Sequence, residues 1–159
     1  MRDAEFEQLY AREAQGLYGF LAYRTTDRSL AEDLLADTFE RALRARKRYD
    51  PAKGSQRTWL YAIAMNLLRD HARRAAAEGR AIEKVGHPVP TGADAHDHVE
   101  RRDELQRALA TLAEEEREAI ALRFGAELTV PEIAKLLKEP LTTVEGRVYR
   151  ALRKLRQRL

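Results

Sequence analysis

The chain has 159 residues, 44% of them hydrophobic, which suits one packed domain or two small ones and excludes wholesale disorder. It has no cysteine, which excludes disulfides and thiolate metal sites and is compatible with a reducing compartment. The formal net charge is +3, no apolar run nears the roughly 20 residues of a membrane span, and Met1 to Glu7 lack an export signal's apolar core, so a soluble cytoplasmic protein without membrane insertion is expected.

Leu, Ala, Arg and Glu dominate and β-branched residues are sparse, a bias towards helix almost everywhere. Phe6, Leu9, Tyr10, Leu17, Phe20 and Leu21 recur at helical spacing and predict a first amphipathic helix. Leu30, Leu34, Leu35, Thr38, Phe39, Ala42 and Leu43 repeat the pattern, leaving Glu32, Asp33, Asp37 and Arg41 on other faces. Pro51 and Gly54 break this helix, and Ser55 is placed to N-cap a third, with Leu60, Ile63, Ala64, Leu67 and Leu68 on its core face. Residues 1–77 therefore read as one helical domain. Between 78 and 100 the period fails among Gly79, Gly86, Pro88, Pro90 and Gly92, which predicts a flexible linker.

Residues 101–159 read as a second domain. Leu105, Leu109, Leu112, Ile120 and Phe124 restore the helical period, with Gly125 placed to end that helix. Thr129 with Glu132 makes a capping-box pattern ahead of Ile133, Ala134 and Leu137. After the short turn Lys138-Glu139-Pro140, a last helix carries Val144, Val148, Ala151, Leu152, Leu155 and Leu159 on one side and Arg147, Arg150, Arg153, Lys154 and Arg158 on the other. The pair 129–137 and 141–158 has the length and tight turn of a helix-turn-helix, whose second helix reads the major groove. Thr142, Thr143, Gly146, Arg147, Tyr149 and Arg150 stand at or near the base-reading end, with Lys154 further along for phosphate. An ordinary basic amphipathic helix packed on its neighbour fits the same pattern.

Charge is unevenly spread. Residues 27–40 hold five carboxylates against Arg28, a net −4, whereas 41–74 hold ten basic residues against Asp50 and Asp70, a net +8. Segment 78–100 returns to −3, and 141–159 has six basic residues against Glu145, a net +5. Two basic surfaces beside an acidic one fit a polyanion plus a protein partner, or else a set of solvated helix faces.

The stretches Ala31-Glu32-Asp33-Leu34-Leu35-Ala36-Asp37-Thr38-Phe39 and Thr58-Trp59-Leu60-Tyr61-Ala62-Ile63-Ala64-Met65-Asn66-Leu67 resemble region 2 of extracytoplasmic-function (ECF) sigma factors of bacterial RNA polymerase. Leu112-Ala113-Glu114-Glu115-Glu116-Arg117-Glu118, Leu128-Thr129-Val130-Pro131-Glu132-Ile133-Ala134 and Thr143-Val144-Glu145-Gly146-Arg147-Val148-Tyr149-Arg150-Ala151 resemble region 4. The likeness spans about 5–75 and 105–159, in the family's order. It implies an all-α protein of two small helical domains that binds core polymerase, recognises and melts promoter DNA, and has an anti-sigma protein as a candidate partner. It further implies that Glu32, Asp33, Asp37, Thr38 and Arg41 grip the polymerase clamp helices, and that Asn66 helps hold an extruded base of the minus-ten element. Lys53 and Arg57 would then lie near phosphates, with Trp59 either core or a stacking platform, and the last helix would meet the minus-thirty-five element. On this reading the chain ends with its recognition helix and has no room for a further C-terminal domain.

The chain departs from the family pattern at Ala36, where Gln is common, and at Gln56, where an aromatic residue often stands. Glu145 and Gly146 replace a basic residue and Ser, and Lys138 and Glu139 replace small and apolar turn residues. Glu145 would repel phosphate unless it forms a capping box with Thr142.

Two other readings compete. A stand-alone helix-turn-helix regulator would bind duplex DNA as a dimer without polymerase. A small metal-dependent hydrolase would use His87, His96 and His98 with Asp94 and Asp97, although nothing in a Gly/Pro-rich linker orients them. No phosphate-binding Gly loop, nucleophile elbow or facing acid–base pair is present, so neither a cofactor nor an enzymatic activity of its own is expected.

Overall fold

A computed structural model describes residues 1–79 and 95–159, apart from the side chains of 95–99 and 102. Every regular element among them is helical, so the protein is all-α. They fall into two compact units, within Met1–Val85 and within Gly86–Leu159.

The first unit is built from α1 (Asp3–Thr25), α2 (Arg28–Ala45) and α3 (Gln56–Ala77). α1 stops because Thr26 turns left-handed, its N–H closing on the Ala22 carbonyl, and Asp27 then caps α2 by accepting the Leu30 N–H at 3.2 Å. α1 packs on α2 and α3, and α2 on α3, so the three apolar stripes meet. Leu9, Leu17, Phe20, Leu21, Leu60 and Tyr61 are wholly buried there, and each large side chain contributes about 1.5–3 kcal/mol through area removed from water. Tyr10 and Leu43, expected in the core, stay exposed at the rim, with Tyr10 lying edge-on to Phe39.

Between α2 and α3 the chain makes two single 3-10 turns, Arg46–Arg48 and Pro51–Lys53. Asp50 accepts the Ala52 N–H at 3.0 Å to start the second turn, and the Tyr49 hydroxyl donates to the Gly54 carbonyl at 2.8 Å. Ser55 forms the expected cap, accepting the Thr58 N–H at 3.1 Å.

The second unit contains α4 (Ala95–Ala110), α5 (Glu114–Ile120), α6 (Val130–Leu137) and α7 (Leu141–Arg158), with α4, α5 and α6 all packed on α7. Helix α4 starts inside the stretch read as linker, while residues 80–94 lie outside the described residues. The period from Leu105 to Phe124 is not one helix. It breaks at 111–113, where Arg117 donates to the carbonyls of Leu109, Ala110 and Leu112 and so supplies a cation to the C-terminal end of α4. α5 runs on into one π turn, Ala121–Gly125, and the left-handed residue is Glu127 (φ 59°) rather than Gly125. The Ala126 and Leu128 N–H groups close on Ala121 and Leu122, so the carbonyls that a glycine cap would have satisfied are already paired.

The capping box at the start of α6 forms as expected. Thr129 accepts the Glu132 N–H at 3.3 Å, and Glu132 accepts the Thr129 N–H at 3.0 Å. Thr129→Ala should lower the stability of this unit by about 1 kcal/mol, read as a reduced denaturant midpoint at unchanged slope. At the other end Lys138 takes a left-handed φ of 56°, and the Glu139 N–H reaches back to Ala134 at 3.0 Å, which makes the sharp turn into α7.

Candidate functional site

Three surfaces collect the residues singled out by the sequence. On α2, Glu32, Asp33, Asp37 and Arg41 are all exposed. Asp33, Asp37 and Arg41 follow one another at four-residue spacing, so they lie one above another along one ridge. Asp33 and Asp37 make no salt bridge among the described residues, whereas Glu40 is tied to Arg44 at 2.7 Å. Thr38 does not belong to this surface. It is 0% exposed and its hydroxyl donates to the Leu34 carbonyl at 2.7 Å, because its place in the helical period is with Leu34 and Ala42.

On α3, Trp59, Ala62, Asn66, Arg69 and Arg73 succeed one another at three- and four-residue spacing, which puts them on one stripe. Asn66, Arg69 and Arg73 are exposed, Asn66 accepts from Arg69 at 3.4 Å, and Arg73 is paired with Asp70. Trp59 is half-buried and stacks on Tyr49 with centroids 5.4 Å apart at 14°, so one ring face is covered by the preceding loop. Lys53 is exposed on that loop.

Arg57, expected near phosphates, is also engaged by a carboxylate within the unit. Its Nε donates to Glu13 at 2.9 Å and 3.3 Å, and Glu13 is only 3% exposed. Arg12 donates to the same carboxylate at 3.0 Å and to the Gln56 side chain at 3.1 Å. A buried carboxylate needs charged donors, and here they are Arg57 from the first turn of α3 and Arg12 from α1 itself. Glu13 was not singled out in the sequence, where it is one more charge on an amphipathic helix.

On α7, Thr142, Tyr149, Arg150 and Lys154 are exposed, while Thr143, Gly146 and Arg147 are half-buried. Tyr149, at 67%, stands far into solvent for an aromatic side chain. The capping box between Thr142 and Glu145 does not form: Pro140 occupies the N-cap with no side-chain bond, and both residues lie inside the helix. Arg147, with a side chain 17% exposed, donates to Glu139 at 3.4 Å. Lys154, expected to serve phosphate, has its ammonium bonded to Glu116 at 2.7 Å with its side chain 47% exposed.

Glu116 is 6% exposed and accepts from the Ala113 N–H at 3.0 Å, with Arg150 Nε a further 3.8 Å from its other oxygen. Burial opposes its ionisation, but the Lys154 bond, the Ala113 N–H and the charges of Lys154 and Arg150 outweigh it and hold the carboxyl below its ordinary 4.5. A carboxyl lowered by folding stabilises above its unfolded value and loses that contribution as pH falls through the folded one. Glu116→Gln should therefore destabilise this unit near neutral pH and flatten the acid limb of its stability below about pH 4.5, measured by denaturant titration at several pH values.

His87 and Asp94 lie outside the described residues, as do the side chains of His96, Asp97 and His98. Among the described residues no helix is long and apolar enough to cross a membrane.

Comparison with known proteins covers both units. Residues 9–78 match the sigma-70 region 2 family and residues 102–155 match the sigma-70 region 4 family. The chain is 36% identical over 157 residues to the RNA polymerase sigma factor CarQ of Myxococcus xanthus, covering 97% of this chain and 88% of that relative. It is 30% identical over 158 residues to the ECF RNA polymerase sigma factor RpoE of Cereibacter sphaeroides, covering 99% and 87%. Among solved structures, CnrH in complex with the cytosolic domain of CnrY superposes with a TM-score of 0.73 at 26% identity, over 98% of this chain and 88% of that one. The sigma factor RpoE of Bartonella quintana, solved with the anti-sigma factor NepR, shares the fold at the same TM-score over 97% and 96%, at 24% identity. Nothing in these likenesses supports a stand-alone regulator. With matches to both regions and to full-length relatives, this chain belongs to the sigma-70 family as an ECF RNA polymerase sigma factor, a protein that binds core polymerase and directs it to promoters.

Proposed function

We propose that the sigma-factor task is divided among the three surfaces just described. The domain assignment is 1–77 for core polymerase and the minus-ten element, 78–100 as connection and 101–159 for the minus-thirty-five element. Glu32, Asp33, Asp37 and Arg41 form the face for a basic polymerase surface, where complementary charge speeds encounter and fixes register. Lys53 and the α3 stripe through Trp59 and Asn66 take the separated minus-ten strand. An amide both donates and accepts, as a base edge requires, and the partly covered Trp59 ring serves chiefly to hold the loop against α3. Arg57, held by Glu13, sets that loop's position and meets phosphate only from its outer edge. Thr142, Thr143, Gly146, Arg147, Tyr149 and Arg150 face the minus-thirty-five groove, while Lys154 orients α7 through Glu116.

The observation that carries this division is the separation of charge. Asp33 and Asp37 stand exposed on α2 without ion pairs among the described residues, and the basic stripes lie on α3 and α7. Polymerase supplies the catalysis, so the chain is not an enzyme, and it works where polymerase does, in the bacterial cytoplasm. An anti-sigma protein is a fitting partner, since the Bartonella RpoE, which shares the fold, was solved with the anti-sigma factor NepR.

The test uses holoenzyme on a promoter selected with the wild-type chain. Asn66→Ala should reduce permanganate reactivity of the minus-ten strand about tenfold with upstream protection intact, the effect of one lost base contact of about 1–3 kcal/mol. Arg147→Glu should remove upstream protection by a similar factor or more, and neither change should weaken binding to core polymerase. Unchanged reactivity or protection would remove that residue from its assigned surface.

A further inference from the structure

Gly146 is an unfavourable residue for its place. It sits in the sixth position of the 18-residue α7 with an ordinary negative φ, so no left-handed turn requires it. Glycine inside a helix carries a backbone-entropy cost that alanine avoids. What the missing side chain provides is visible in its surroundings. A Cβ built there would meet Arg150 Nη1 at 3.0 Å, with Cζ and Nη2 at 3.7 Å. The Arg150 guanidinium therefore lies folded back over Gly146, towards the N-terminal end of the helix. Its Nε edge faces Glu116 Oε2 at 3.8 Å, and its side chain remains 58% exposed, so its outer N–H groups point to solvent.

We propose that Gly146 is a specificity-determining residue that acts through Arg150. By leaving the helix surface bare it gives the guanidinium a seat, and Glu116 aligns the inner edge, so that one cation is presented at a fixed place on the base-reading end of α7. A flexible arginine in solvent pays rotamer entropy on binding, whereas one already seated pays less and offers its two-donor fork in one orientation. A Cβ at 146 makes the seated guanidinium give by a few tenths of an ångström and meets none of the side chains that pack α7 on its neighbours, so it alters how Arg150 is presented and leaves the helix in place. The inference rests on the proposal that α7 faces the upstream promoter element.

The test uses holoenzyme assembled with full-length chain on a pool of duplexes. Each carries a randomised upstream hexamer joined to a promoter selected with the wild-type protein. Gly146→Ala, Arg150→Ala and the double variant are compared by the sequences each retains, alongside their thermal midpoints. Gly146→Ala should keep or raise the midpoint, as added helix propensity predicts, yet lose roughly tenfold discrimination at the same base positions as Arg150→Ala. The double variant should lose no more than Arg150→Ala alone. If Arg150→Ala changes the retained sequences while Gly146→Ala does not, the inference fails and the assignment of α7 stands. An effect of Gly146→Ala that persists undiminished in the Arg150→Ala background also overturns it, because the glycine would then act by letting DNA approach the helix backbone. If Arg150→Ala changes nothing, α7 does not read this element through Arg150 and both statements fall.

Discussion

The double variant Asp33→Arg/Asp37→Arg should bind core polymerase about a hundredfold more weakly than the parent chain, a cost of about 2.7 kcal/mol. Both carboxylates are exposed on one ridge of α2 and make no ion pair among the described residues, so their reversal removes no packing and leaves the fold's stability within about 0.5 kcal/mol. Placing two cations against a basic partner surface replaces attraction by repulsion, and like charges brought together at an interface cost several kcal/mol. A fluorescence titration of labelled chain with core polymerase measures the effect. It should be largest at low salt and shrink as ionic strength rises, because the pairs are near the surface. Parental affinity in the variant would remove α2's acidic ridge from the polymerase contact.

Glu13→Ala should cost the first unit about 2–3 kcal/mol. Removing one partner of a buried ion pair generally costs about 3–5 kcal/mol, since the other charge is left without compensation. Here the penalty is reduced because Arg12 and Arg57 are partly exposed and can turn to water. Glu13→Gln keeps hydrogen-bond acceptance but not the charge, and should fall between the variant and the parent. The two losses are separable by denaturant unfolding followed with Trp59, the only tryptophan, which lies in the same unit. Since Gln56 and Arg57 both hang on this carboxylate and its Arg12 neighbour, the first turn of α3 should also lose hydrogen-exchange protection in Glu13→Ala.

Local chemistry was legible in the sequence. The Ser55 and Thr129 caps were visible because a cap depends on residues two or three positions apart, and the core faces of α1 to α3 because burial follows the helical period. The acidic ridge of α2 was legible as what that period leaves outside. Thr38 is instructive: the period placed it with Leu34 and Ala42, whereas membership of a family motif placed it on the surface, and the period was the better guide to exposure. What could not be read were the partners of Arg57 and Lys154. Glu13 is 44 residues from Arg57 and Glu116 is 38 from Lys154, and only the packing of whole helices brings such pairs together. Two side chains expected near phosphates have carboxylate partners that were hidden for that reason. The stack of Tyr49 on Trp59 and the folding of Arg150 over Gly146 were hidden likewise, because each depends on side-chain direction as well as spacing.

The most direct measurement is run-off transcription with core polymerase on a pool of promoter fragments, using the parent chain, Asp37→Arg and Arg147→Glu. The account predicts specific starts that require the chain. Asp37→Arg should reduce them by weakening holoenzyme formation, less than the double reversal does, and Arg147→Glu by preventing upstream recognition with holoenzyme intact. Tight binding of duplex DNA by a dimer of the chain alone, with no polymerase-dependent start from any fragment, would contradict it.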